Sequence, residues 1–197
     1  MLTRLDIIND MISSTGSRPL LAGQTRHPMY LKADTLLTRV VSTVLSLGLW
    51  FNTEYRELKA QPDGRVIIPT NCLKVEALSG HNVSLRNNML WDLNTGSPWD
   101  GGNVSARLIF NLDLEDIDIV AKDYIRARST YEFYLGDNGG DPKLSNYRNE
   151  RDNAWVLLWR DHIRNRKTNV WDNHYATGNR LRRGYPHGST NLIGRLR

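Results

Sequence analysis

The sequence predicts an α+β fold: an antiparallel helix bundle with an inserted small antiparallel β domain and an extended C-terminal tail. Three observations carry this. Apolar residues recur at helical spacing over residues 1–48 and 113–172, whereas between 49 and 112 the pattern shortens to brief alternating runs separated by turn residues. Past Asn173 all periodicity fails. The expected division is a discontinuous helical bundle domain over 1–48 and 113–172, a β domain over 49–112, and a tail over 173–197.

Each element follows from local chemistry. Thr3 followed by Asp6 is a capping-box pattern, and Leu5, Ile8 and Ile12 then form one stripe that Gly16 and Pro19 close. His27-Pro28 places proline where a helix can start. Leu36, Leu37, Val40, Val41, Val44 and Leu45 follow at helical intervals and Gly48 stops the run, which predicts a second, largely buried helix. Val66 to Ile68, Leu73 to Leu78, Val83 to Leu85, Met89 to Trp91 and Val104 to Phe110 read as short strands. Turn material divides them at Pro62-Asp63-Gly64, Ser79-Gly80, Asn87-Asn88 and the longer stretch from Asn94 to Asn103. Asn87-Asn88 suits a two-residue hairpin, because Asn tolerates positive φ.

Helical spacing resumes with Leu114, Ile117, Ala121, Tyr124, Ile125, Arg128, Tyr131 and Leu135. Four carboxylates, Asp113, Glu115, Asp116 and Asp118, stand at the start, where a helix dipole favours negative charge. Gly136 is the expected stop. Asp141-Pro142 then supplies an N-cap and a first-turn proline for a helix expected over 142–167, about 39 Å long at 1.5 Å per residue. Trp155 and Trp159, one turn apart, are expected to be buried core anchors against the Leu36–Leu45 or the Tyr124–Leu135 stripe. Beyond Asn173, four glycines and a proline preclude a continuous helix. The 21 residues from Thr177 to Arg197 could reach about 70 Å if extended.

Composition narrows the function classes. The lone Cys72 excludes an internal disulfide framework. The N-terminus lacks an apolar signal core, and the most apolar run, Val40 to Phe51, is shorter than the roughly 20 residues a membrane span needs, so a soluble protein is expected. Histidines 27, 81, 162, 174 and 187 show no i, i+3 or i, i+4 pairing with one another or with Cys72, so no metal site is expected. No nucleophile-elbow, Walker or dinucleotide glycine pattern occurs. The acidic run at 113–118 could be drawn as a metal-binding patch, but the helix dipole accounts for it more simply. An enzyme is not expected, nor is a cofactor.

The net charge of +5 is uneven. Residues 160–197 hold eight Arg and one Lys against Asp161 and Asp172, a balance of +7, which leaves −2 for residues 1–159. Arg180, Arg182 and Arg183 beside Tyr185 could contact phosphates and stack a base, which keeps a basic nucleic-acid-binding protein as an alternative. No recognised DNA- or RNA-binding motif accompanies them. Leu181, Tyr185, Leu192, Ile193 and Leu196 are spaced through the tail as sites for docking on a partner.

Five segments, in order, resemble the head-to-tail adaptor family of short-tailed bacteriophages, also called tail tubular protein A. They are IINDMISSTGSRP (Ile7 to Pro19), GLWFNTE (Gly48 to Glu54), DGRVIIPTNCLKVEAL (Asp63 to Leu78), RNNMLWD (Arg86 to Asp92) and LDLEDIDIVAKDYIRARSTYEFYLGD (Leu112 to Asp137). The resemblance implies a structural virion protein at the head–tail junction, assembled in the host cytoplasm, with no active site. It implies a dodecameric ring below the portal protein, a hexameric nozzle (tail tubular protein B) docked beneath, tail fibres at the side and packaged DNA passing through the channel. It also implies that the C-terminal segment attaches to the portal, which makes Arg180, Leu181, Arg182, Arg183, Tyr185, Leu192, Ile193, Arg195 and Leu196 the expected portal-binding residues. Two features depart from the family: Asp118 stands where many relatives have a proline-glutamate pair, and the stretch from Asn94 to Asn103 is peculiar to this chain.

Overall fold

The computed structural model describes residues 2–138 and 140–166. Helix α1, Arg4–Ser14, is opened by Thr3, whose hydroxyl accepts the Asp6 N–H while the Asp6 carboxylate accepts the Thr3 N–H at 2.8 Å. This is the capping box expected from the sequence. Those bonds favour the charged carboxylate and hold its pKa below the usual value. Helix α2, Pro28–Leu45, starts with proline at its first position, and the His27 imidazole caps it by accepting the Met29 N–H. One face of α1 buries Ile7, Ile8, Met11 and Ile12, and one face of α2 buries Ala33, Leu37, Val40, Val41, Val44 and Leu45.

The third helix begins later than expected. Leu114–Asp116 is a separate 3-10 turn, Ile117 is extended, and α3 runs Ile119–Asn138. Only Asp118 of the four acids caps α3, its Oδ1 accepting the Val120 N–H at 2.9 Å. The physical reason is that Leu114 and Ile117 both enter the core, and the tight turn with an extended residue places them there. Gly136 lies inside α3 and does not end it, because a helical glycine costs only about 1 kcal/mol relative to alanine. Helix α4, Leu144–Asn165, starts two residues after Pro142, and Asp141 accepts the Lys143 N–H at 2.7 Å. Lys167, the expected end, lies outside the described residues.

Helix α3 is central. It packs against each of the other three helices and buries ten residues, from Ala121 to Tyr134. Of the residues assigned to its stripe, Arg128 instead pairs with Glu132, and Leu135 is exposed. The tryptophans of α4 also correct the sequence reading. Ala154, Leu158 and His162 occupy its buried row, and residues one position on are rotated about 100° away from that row. Trp155 is therefore half-buried against Tyr124, and Trp159 is 44% exposed.

Strands β1 (Thr53–Leu58), β2 (Cys72–Ala77), β3 (Val83–Arg86), β4 (Met89–Asp92), β5 (Ser97–Pro98) and β6 (Val104–Phe110) form two antiparallel sheets, in the orders β1-β6-β2 and β3-β4-β5. Asn87 and Asn88, at φ 48° and 57°, make the expected two-residue hairpin between β3 and β4. Val66 to Ile68 forms no strand. A single bridge links Ile67 to Met89, while Val66 and Ile68 are buried. The stretch from Asn94 to Asn103 is more than a turn. It holds β5 and buries Trp99, whose Nε1 donates to the Gly102 carbonyl at 2.9 Å. The helices share one apolar cluster and the strands another, and Leu112 packs against both.

Candidate interaction surfaces

The helical and β regions meet at Gly48 to Asn52, the segment that carried part of the family resemblance. Gly48 has φ +67°, and a Cβ there would lie 2.6 Å from Ile109 Cδ1 and 2.7 Å from Arg107 Nη2. The left-handed backbone favours glycine, and a side chain here would also have to displace the ends of the Ile109 and Arg107 side chains. Arg107 donates one nitrogen to the Gly48 carbonyl and another to Glu76, each at 3.0 Å. Asn52, 2% exposed, donates Nδ2 to the carbonyls of Leu45 and Phe110, each at 2.8 Å, and its backbone carbonyl accepts the Phe110 N–H. One buried amide thus ties the end of α2 to the end of β6. The Leu45 carbonyl accepts the Gly48 N–H as well, at 3.1 Å, so the Asn52 amide adds a second bond to a carbonyl already in use at the end of the helix.

An aromatic series runs from this joint along α4. Phe51 meets Trp50 edge-on at 5.1 Å, Trp50 lies 6.1 Å from His162, and His162 lies 5.0 Å from Trp159. Trp159 stacks on Trp155 at 5.6 Å, and Trp155 lies 5.1 Å from Tyr124. The outward side of the same helix is apolar. Val156, Trp159 and Ile163 are 61%, 44% and 58% exposed, and their i, i+3, i+7 spacing places them in one stripe.

The α3–α4 connection is held by chemistry of its own. The Tyr134 hydroxyl donates to the Asp141 carboxylate, which pushes the tyrosine pKa up to about 12 and draws the aspartate below its ordinary value. Cys72 is buried, and that burial pushes its thiol pKa up, as suits a small core residue more than a nucleophile. Among the described residues no group of three His, Cys, Asp or Glu side chains could hold a metal ion, and no helix is long and apolar enough to cross a membrane. The expected portal-binding residues, Arg180 to Arg183, Tyr185, Leu192, Ile193, Arg195 and Leu196, lie outside the described residues. The half-exposed stripe of α4 was missed in the sequence because its tryptophans read as core. Its signal was a second apolar row opposite Ala154 and Leu158.

Residues 5–168 match the family model described as Tube, tail tubular protein. The chain is also similar to Tail tubular protein A of Klebsiella phage KP34, with 30% identity over 180 residues, covering 91% of this chain and 96% of that protein. The joint at Gly48 to Asn52, both sheets and the four described helices, apart from Arg4 at the start of α1, fall inside the matched span, and the chain belongs to the tail tubular protein family.

Proposed function

We propose that this chain is a head-to-tail adaptor, a structural component of a bacteriophage tail without catalytic activity. In this reading twelve copies form a ring beneath the portal, continue the channel for packaged DNA and seat the nozzle, tail tubular protein B, with tail fibres as a lateral partner. The assembly takes place in the host cytoplasm and ends at the head–tail junction of the virion. Residues 1–48 and 113–172 act as the bundle domain, 49–112 as the β domain, and 173–197 as the arm that docks on the portal. The observation that carries the reading is the similarity to a Tail tubular protein A along nearly the full length of both chains. The buried joint at Gly48 and Asn52 supports it, since a connector needs its two regions held in fixed register.

Deleting Thr177 to Arg197 tests the proposal. The truncated protein should remain folded and soluble, with unchanged circular dichroism and melting temperature, and should fail to co-sediment with portal rings. The intact protein alone should be a monomer or a loose oligomer and should reach ring mass on portals. Truncated protein that still assembled on portals would move the anchor into the helices, and stable twelvefold rings without portal would contradict this order of assembly.

A second reading is favoured by one observation, the +7 balance of residues 160–197. A nucleic-acid-binding protein acting through that tail would shift DNA in a gel with an affinity that falls steeply as salt rises. The adaptor reading expects weak, nonspecific retardation only.

A further inference from the structure

Two surfaces of the described chain carry unpaired or loosely paired charges beside exposed aliphatic side chains, and they are opposite in sign. The first is the outer stripe of α4, Val156, Trp159 and Ile163, flanked by Arg160 and Arg164. Arg160 makes no ion pair among the described residues, and Arg164 reaches only Asp161, at 3.5 Å, with its side chain 68% exposed. The second is the 3-10 turn before α3. There Asp113, Glu115 and Asp116 are exposed without an ion pair among the described residues, and Ile119 beside them is 63% exposed.

We propose that two copies of this chain meet through these surfaces, the α4 stripe of one against the 3-10 turn and Ile119 of the next. Charge complementarity selects this occupant. Arg160 and Arg164 gain Glu115 and Asp116 as partners at the rim, and Ile119 gives Val156 and Ile163 an apolar counterpart. Nucleic acid suits the stripe less well. Trp159 already stacks on Trp155 with the rings 22° apart, and its neighbours in the stripe are β-branched aliphatics with no flat face for a base. A branched apolar row at i, i+3, i+7 fits a groove on another protein. Because the two patches differ, the contact is heterologous and can repeat from copy to copy. It is independent of the C-terminal arm, so portal attachment can fail while this contact stands, and the reverse.

The test is sedimentation velocity on the full chain over a wide concentration range. Wild-type protein should self-associate weakly and reversibly. Arg160→Glu with Arg164→Glu should weaken association about tenfold or more, as should Glu115→Lys with Asp116→Lys, because each sets like charges against each other across the contact. Mixing the two variants should restore association, since each supplies the patch the other lacks. If either charge variant fails to fold by circular dichroism, Ile163→Ser and Ile119→Ser replace it and should weaken association likewise. A wild-type protein that stays monomeric throughout would overturn the proposal, as would association indifferent to both patches. Loss of oligonucleotide binding by the α4 variant, with its mass unchanged, would assign the stripe to nucleic acid and would equally overturn it.

Discussion

Helices α2 and α4 both pack on α3, yet they treat their outward sides in opposite ways. Over 18 residues α2 buries six side chains, whereas α4 buries only three over 22. The outer side of α2 is finished with polar groups. Thr35 and Thr43 return their hydroxyls to the carbonyls of Leu31 and Arg39, Lys32 pairs with Asp137, and Arg39 pairs with Glu132. Leu31 is the lone large apolar residue exposed within that helix, and scattered single residues of this kind need no explanation. On α4, by contrast, Val156, Trp159 and Ile163 fall in one row and Leu157 is exposed as well. Two helices with the same neighbour can therefore be amphipathic in different senses. One separates core from water; the other separates core from a second apolar surface.

The deepest cuts test whether the inner rows are equivalent. Leu37 and Leu158 are both fully buried, so truncation to alanine should cost about 2–5 kcal/mol in either helix. The pattern of loss should differ. Leu37→Ala should lower the denaturation midpoint with protection from hydrogen exchange reduced throughout the bundle, because α2 has five further buried residues holding it in place. Leu158→Ala should strip protection first from the C-terminal half of α4, which keeps only Ala154 and His162 on its buried row. Uniform loss in both variants would remove the distinction between the helices.

The tryptophans probe the boundary between the two sides of α4. Trp155, half-buried on Tyr124, should cost about 2 kcal/mol on truncation to alanine, by the area it removes from water. Trp159, 44% exposed, should cost less than about 1 kcal/mol in the isolated protein. Urea denaturation of the two variants measures both. Equal costs would mean that Trp159 is covered after all.

What the sequence disclosed depended on whether the signal was local. The Thr3–Asp6 box, the stop at Gly48, the Asn87-Asn88 hairpin and the limits of β6 were readable because each rests on a few neighbouring residues. β1 was not, because Glu54, Arg56 and Glu57 are exposed along an edge strand and leave no apolar alternation. The acidic run misled for a related reason: a helix start and a 3-10 turn ahead of a helix use the same residues, and the burial of Leu114 and Ile117 decides between them. The α4 stripe failed at the next level, since periodicity reports apolar rows without saying which of two rows meets the core. The residues expected to bind the portal lie beyond the described chain, so the candidate site was legible as composition but not as geometry.

The smallest effects separate the bonds that hold the two helices. The Arg39–Glu132 pair of α2 is 3.1 Å long with the arginine side chain 69% exposed, so Arg39→Ala should cost between about 0 and 1 kcal/mol, and less at high salt. The α3–α4 connection should respond to pH instead. The carboxyl of Asp141 is drawn below its ordinary value, so its contribution is present above the unfolded pKa and is lost as pH falls through the folded one. Tyr134 is raised to about 12, so its contribution is full below the ordinary tyrosine value of 10 and is lost as pH climbs through 12. Tyr134→Phe should therefore lower stability near neutrality and flatten both limbs of the stability–pH curve, with little dependence on salt, because the tyrosine is buried. The check is a set of melting curves from acid to alkaline pH at low and high salt. A salt-sensitive Tyr134→Phe effect beside a salt-insensitive Arg39→Ala effect would reverse the assignment of the two seams.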